Sequence, residues 1–441
     1  MSASPRRLPR MRRLVPALFL AGVGVFPVFA DPADTATATE FLTRFNSLDQ
    51  SDPAELRSLA DWAEAKGLSF EAIKLLKSYL ELAPEDREAF ERISRLADVT
   101  PIPDNSGRAR LYLEQFQKQD ASFKVHVSPH YIVLYNTDPS FAVSRAALLE
   151  ESHDNYFRAF RRARLNPIPL TERLVCVLFA THDQFVEYGR AVDGMQADWF
   201  GGYYSSRTNR IAFFDDRDNP AFDGARARTA ELESQIAETD EKIERAIAER
   251  KDAVVFDLRR RREQLRRQID FNDNRHDALA GLGNSAKTTH EAVHQLAFNT
   301  GLQKPGVMYP FWLSEGLATN FESDDPAAKR FGPFEDNESR RLLFQQAARA
   351  DALMPLDQFV AFVSPNGADA RQASVLYAHS WAFFQFLFKH RAADMNKYLR
   401  SLSGLPPGRR DPAQLRREFE RAFGKIDVVE RQWRHYVNRH R

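Results

Sequence analysis

Residues 286–299 read as one helical run, and inside it stands His290-Glu291-Ala292-Val293-His294. Side chains four apart on a helix lie one above the other on the same face. Both imidazoles therefore project to one side, where they can share a tetrahedral cation such as zinc. Glu291 lies one residue on from the first histidine, beside that point, where a carboxylate can take a proton from an activated water. Ala292, Val293, Leu296 and Ala297 supply the apolar side that would bury the helix. Two neutral imidazoles underligate a divalent cation, so a chain built around this motif must bring a third donor from a second element. Trp312-Leu313-Ser314-Glu315-Gly316-Leu317-Ala318-Thr319 is placed for that. Glu315 follows His294 by 21 residues, room for one loop and the start of an antiparallel helix. Gly316 and Ala318 are small enough for that helix to lie close to the first. Thr319, one turn beyond Glu315, is expected to hydrogen-bond the outer nitrogen of a ligating histidine, as bound imidazoles usually require.

Composition narrows the alternatives. The 441-residue chain has one cysteine, Cys176, which excludes an intramolecular disulfide framework and multi-cysteine zinc or iron–sulfur sites. Any metal must be held by histidine and carboxylate. Lys plus Arg total 62 against 61 Asp plus Glu, so no basic excess points to nucleic acid. At 43% apolar and 28% charged residues, the chain is long enough and apolar enough for two or three globular domains.

The organisation follows from shifts in texture. Residues 1–13 carry five arginines and no acid, residues 14–29 are almost wholly apolar, and Val28-Phe29-Ala30 resembles a cleavage site. Residues 1–30 thus read as a secretory signal peptide, and the mature protein as exported, periplasmic or extracellular, without a membrane span. Residues 31–115 read as a helical segment like a tetratricopeptide unit, with Ala60, Ala63, Ala72, Leu76 and Tyr79 at helical spacing and Pro84 closing the second helix. Residues 120–325 form the metal-bearing unit. Its strands are expected at Val125–Val127, Tyr131–Tyr135, Leu174–Phe179 and Ile211–Phe214, in a small mixed sheet. The last of these is expected at the sheet edge, where it could hold a substrate backbone. Within this unit, residues 224–270 repeat apolar positions alternately every four and seven residues (Leu232, Ile236, Ile243, Ile247, Val254, Leu258, Leu265, Ile269) and read as an inserted helical hairpin turning near Lys251-Asp252. The run Arg259–Arg262 reads as a solvated helix face, with an anionic partner as the alternative. Residues 326–441 are expected to be helical. The fold class is therefore α+β, predominantly helical.

Three runs carry a family resemblance: Thr289-His290-Glu291-Ala292-Val293-His294-Gln295-Leu296, then Trp312 to Ala318, then Tyr377-Ala378-His379-Ser380-Trp381. Together they resemble a bacterial group of exported, gluzincin-type proteins catalogued mostly as a domain of unknown function. The resemblance implies a zincin-like fold, zinc ligands His290, His294 and Glu315, and Glu291 as general base. It covers residues 124–436 apart from the charged insertion. The spacing from the second histidine to the glutamate is slightly longer than in thermolysin-like relatives. On this reading the chain is a Zn2+-dependent metallopeptidase acting on peptide or protein substrates, with Tyr377 or His379 donating to the oxyanion. The alternative is a zinc-bearing but inactive scaffold that binds protein partners through its helical segments.

Overall fold

The computed structural model describes residues 32–440 except 84–85, 104–105, 166, 196–200 and 366. The signal-peptide reading of residues 1–30 lies outside them. The chain is predominantly helical with one small mixed sheet.

Four helices come first: α1 (Pro32–Asn46), α2 (Pro53–Ala65), α3 (Ser69–Leu82) and α4 (Arg87–Val99). Asp52 and Asp86 cap α2 and α4 through their carboxylates. Alanines at 60, 63 and 72, all fully buried, let α2 and α3 lie against each other. The small core that these helices share, with Leu56, Leu76 and Ile93, also takes in Ile168 from the following unit. Lys77 reaches across the same junction to Thr171 and the carbonyl of Asn299.

Helix α5 (Ser106–Gln117) leads into β1 (Lys124–Val127) and β2 (Tyr131–Tyr135), then α6 (Pro139–Arg162), β3 (Leu174–Phe179), α7 (His182–Tyr188), β4 (Gly202–Ser205) and β5 (Arg210–Phe214). The sheet order is β1-β2-β3-β5-β4. The three central strands are parallel and the two outer pairs antiparallel. Every residue of β2, β3 and β5 is buried, because both faces of the sheet are covered. Tyr131, Val133, Cys176, Leu178, Ile211 and Phe213 face the main core with α6 and the metal-motif helix. Ile132, Leu134, Val175, Val177, Ala212 and Phe214 face a second core with Phe116 of α5 and Phe185 of α7. The run 211–214, expected at an edge, is therefore interior. The edge on that side is β4, a strand that hydrophobic patterning does not reveal.

Helix α8 (Asp223–Ala248) and α9 (Asp252–Asn299) are antiparallel, and the chain reverses at Glu249–Lys251 with Arg250 at φ +58°. There is no break at residue 270. The second arm of the hairpin runs on through the histidine motif as one 48-residue helix, ~72 Å long at 1.5 Å per residue. Past the turn the buried face begins one residue later than the regular repeat predicts. Val255 packs with Ile243, Ala246 and Leu258, while Val254 is left 45% exposed.

The remaining helices are α10 (Phe311–Thr319), α11 (Glu338–Arg349), α12 (Leu356–Phe359), α13 (Ala370–His390), α14 (Ala392–Ser403), α15 (Pro412–Phe423) and α16 (Ile426–His440). The main core runs from the sheet through α9, α10 and α13 to Trp433 of α16. Among the described residues no helix is long and apolar enough to cross a membrane.

Candidate metal centre

Helix α9 is fastened to the sheet from below the motif. The Gln295 amide donates to the carbonyls of Val175 and Asn209, and Asn299 hydrogen-bonds Asn209. Ala292, Val293, Leu296 and Ala297 are fully buried against the sheet and α6. With that side anchored, His290 and His294 must face outward, toward α10.

Glu315 on α10 meets them. Its Oε2 lies 3.2 Å from His290 Nε2, its Oε1 lies 3.5 Å from His294 Nε2, and the two imidazole Nε2 atoms are 3.2 Å apart. One ligand atom from each of the three falls within 4.8 Å of the others, and among the described residues this is the group that could hold a metal ion. The three side chains are only 12–19% exposed.

Thr319 does not serve the imidazole. Its hydroxyl donates to the carbonyls of Glu315 and Gly316 within its own helix. The outer nitrogen of His290, Nδ1, instead meets Glu322 Oε1 at 2.8 Å, and Glu322 Oε2 accepts from Arg340 Nε at 2.7 Å. Asn337, which caps α11, donates to the Glu322 carbonyl and so ties the Arg340 helix to the same segment. Holding Nδ1 leaves Nε2 directed at the ligand cluster. No sequence motif marks Glu322 or Arg340.

The packing of α10 also differs from expectation. Gly316 faces α13, not α9. A Cβ there would stand 2.6 Å from the Ser380 carbonyl oxygen and 2.8 Å from Phe384 Cβ. The absent side chain is what lets α13 close over α10.

That closure settles the two downstream candidates differently. Tyr377 lies beside the cluster, its ring 6.3 Å from that of His290 and 5.2 Å from Phe311, with the Arg340 guanidinium 5.8 Å from its centroid. His379, two residues on, points the other way into the core. It is fully buried, stacked at 3.7 Å on Phe359, and neither ring nitrogen has a hydrogen-bond partner among the described residues. It is no part of the site.

The site's charges are tightly linked. Burial alone would push the Glu315 carboxyl up, but the two histidines hold it well below the usual range. Burial likewise disfavours a charged His290, yet hydrogen bonds to Glu315 and Glu322 outweigh it and raise that imidazole well above its ordinary value. Glu322 is depressed against burial by Arg340 and His290. Burial, and then the charges of Glu315 and Glu291, push the Tyr377 hydroxyl upward, so it stays protonated and able to donate. Glu291 is half-buried, and no described residue hydrogen-bonds or ion-pairs with its carboxylate.

No curated protein matches the chain. Residues 284–408, the span that holds both histidines, Glu291, Glu315, Glu322, Arg340 and Tyr377, match the model of a family described as protein of unknown function (DUF1570).

Proposed function

We propose that the chain is an exported zinc metallopeptidase of the gluzincin type, with a zincin-like unit at residues 120–325 completed by the helices of residues 326–441. The observation that carries the reading is the convergence of His290, His294 and Glu315 with Glu291 on the same helix as the histidines. A tetrahedral zinc with bonds of about 2.1 Å separates its ligand atoms by about 3.4 Å. The distances between these side chains, 3.2, 3.2 and 3.5 Å, fit that spacing. The donor set of two imidazoles and one carboxylate is that of catalytic zinc, which keeps a fourth position open.

Zinc bound there would supply Lewis acidity toward a water and a peptide carbonyl. The rest is the work of this chain's own groups. Glu291 accepts the proton of the attacking water and returns it to the departing amine, a role for which a carboxylate without other partners is suited. Tyr377 keeps its proton and donates a hydrogen bond to the developing oxyanion. Glu322, backed by Arg340, holds His290 in the tautomer that presents Nε2. The β4 edge, antiparallel to β5 and packed near α9, offers a peptide backbone a strand to pair with.

The test is Glu291→Gln assayed for metal content and for digestion of a peptide library. Glutamine is nearly isosteric and keeps helix propensity. The variant should stay folded with close to one zinc per chain while the rate falls about 10²–10⁴-fold. Parental protein that binds zinc and cuts nothing would favour the scaffold reading, and parental rates in the variant would refute the role of Glu291.

A further inference from the structure

The hairpin of α8 and the first half of α9 takes no part in the site, and its far end is unlike the rest of the chain. Between residues 245 and 267 stand nine basic and four acidic residues, a local charge of +5 in a chain whose total is +1. Arg262 pairs with Asp240 across the hairpin, Arg245 with Glu241, and Lys251 with Glu249. Arg250, Arg259, Arg260, Arg261, Arg266 and Arg267 have no ionic or side-chain hydrogen-bond partner among the described residues.

Apolar side chains share this surface. Phe256 and Phe271 are each 66% exposed, and Ile247 and Val254 about half. Phe256, Arg260, Arg267 and Phe271 are spaced by four, seven and four, which puts them on one face of α9. It is the face turned from α8, since Val255 and Leu258 take the side packed on Ile243 and Ala246. At the base of the hairpin Phe222 packs on His276, so the arm beyond that point projects by about 36 Å at 1.5 Å per residue.

Unpaired arginines flanked by exposed aromatics do not suit a second copy, which would oppose the net +3 of residues 256–271 to the same charge. They suit a surface that is anionic and has an apolar layer just beneath. The geometry points to the outer face of α9, from Phe256 to Phe271, as a docking surface for an anionic lipid bilayer. The arginines engage headgroup phosphates while Phe256 and Phe271 enter the acyl boundary. Such docking is peripheral.

Cosedimentation of the full chain with vesicles of phosphatidylcholine plus phosphatidylglycerol, against phosphatidylcholine alone, tests it. The parent should bind the mixed vesicles only, and less as salt rises. R260Q/R267Q should weaken partitioning about 25-fold, at about fivefold per arginine. F256S/F271S should weaken it with the arginines intact. Circular dichroism should be unchanged in both, because all four positions are exposed. Absence of parental binding at low salt, undiminished binding by the double-arginine variant, or a shift of duplex DNA at salt that strips the vesicles would each overturn the assignment.

Discussion

Replacing Glu322 with alanine separates the support of the metal centre from its ligands. The carboxylate bridges two partners, His290 Nδ1 at 2.8 Å and Arg340 Nε at 2.7 Å, and is itself only 10% exposed. Removing one member of a buried ion pair costs about 3–5 kcal/mol, because the other charge is left uncompensated. Arg340 is 21% exposed, so water recovers part of that, and about 2–3 kcal/mol of destabilisation is expected in the presence of EDTA. Loss of the outer partner of a ligating histidine should lower zinc affinity about 10–100-fold, or roughly 1.4–2.7 kcal/mol. Glu322→Gln keeps an acceptor for Nδ1–H but not the charge facing Arg340. It should sit between parent and alanine in stability and retain most of the affinity. Denaturant melts with EDTA read the first quantity, and competition with a chromogenic chelator reads the second. An alanine variant that is destabilised yet binds zinc as tightly as the parent would refute the orienting role and leave Glu322 a purely structural residue.

Three further outcomes are expected. Gly316→Ala should cost about 1–3 kcal/mol and weaken metal binding with it, since the new methyl meets the Ser380 backbone and the neighbouring residue is Glu315; an unchanged melting temperature would contradict this packing. Glu315→Ala should leave little zinc after dialysis, and metal content equal to the parent would remove Glu315 from the ligand set. Burial lowers the His379 imidazole to about 3. The unfolded chain therefore takes up this proton first, so the stability tied to the neutral ring is full above about 6.5 and is lost as pH falls toward 3. Between pH 7 and 5 the loss is about 2 kcal/mol, and relative to the parent His379→Leu should gain that amount over the same interval in EDTA. A difference independent of pH would mean the ring has a partner in the folded core.

Local periodicity made several elements legible. The spacing of His290 and His294 puts both on one helix face wherever that helix sits. Three of the four expected strands are uniformly buried apolar runs, and they form the centre of the sheet. Gly202-Tyr203-Tyr204-Ser205 was not legible as a strand, because four half-polar residues pair only when β5 is already beside them. For the same reason β5 could not be told from an edge: strand order is a relation between segments.

Within the site the division is similar. Residue identity together with helical spacing determined which groups could bind a cation, and the distance to Glu315 allowed a second helix to supply the third. Only the packed structure decided that Glu322 rather than Thr319 backs His290, that Gly316 admits α13 rather than α9, and that Tyr377 faces the cluster while His379 stacks in the core. Each of those outcomes joins groups far apart in the chain through contacts of a few ångströms. Such contacts depend on how whole helices seat against one another, and no repeat of 3.6 or 2 residues encodes that.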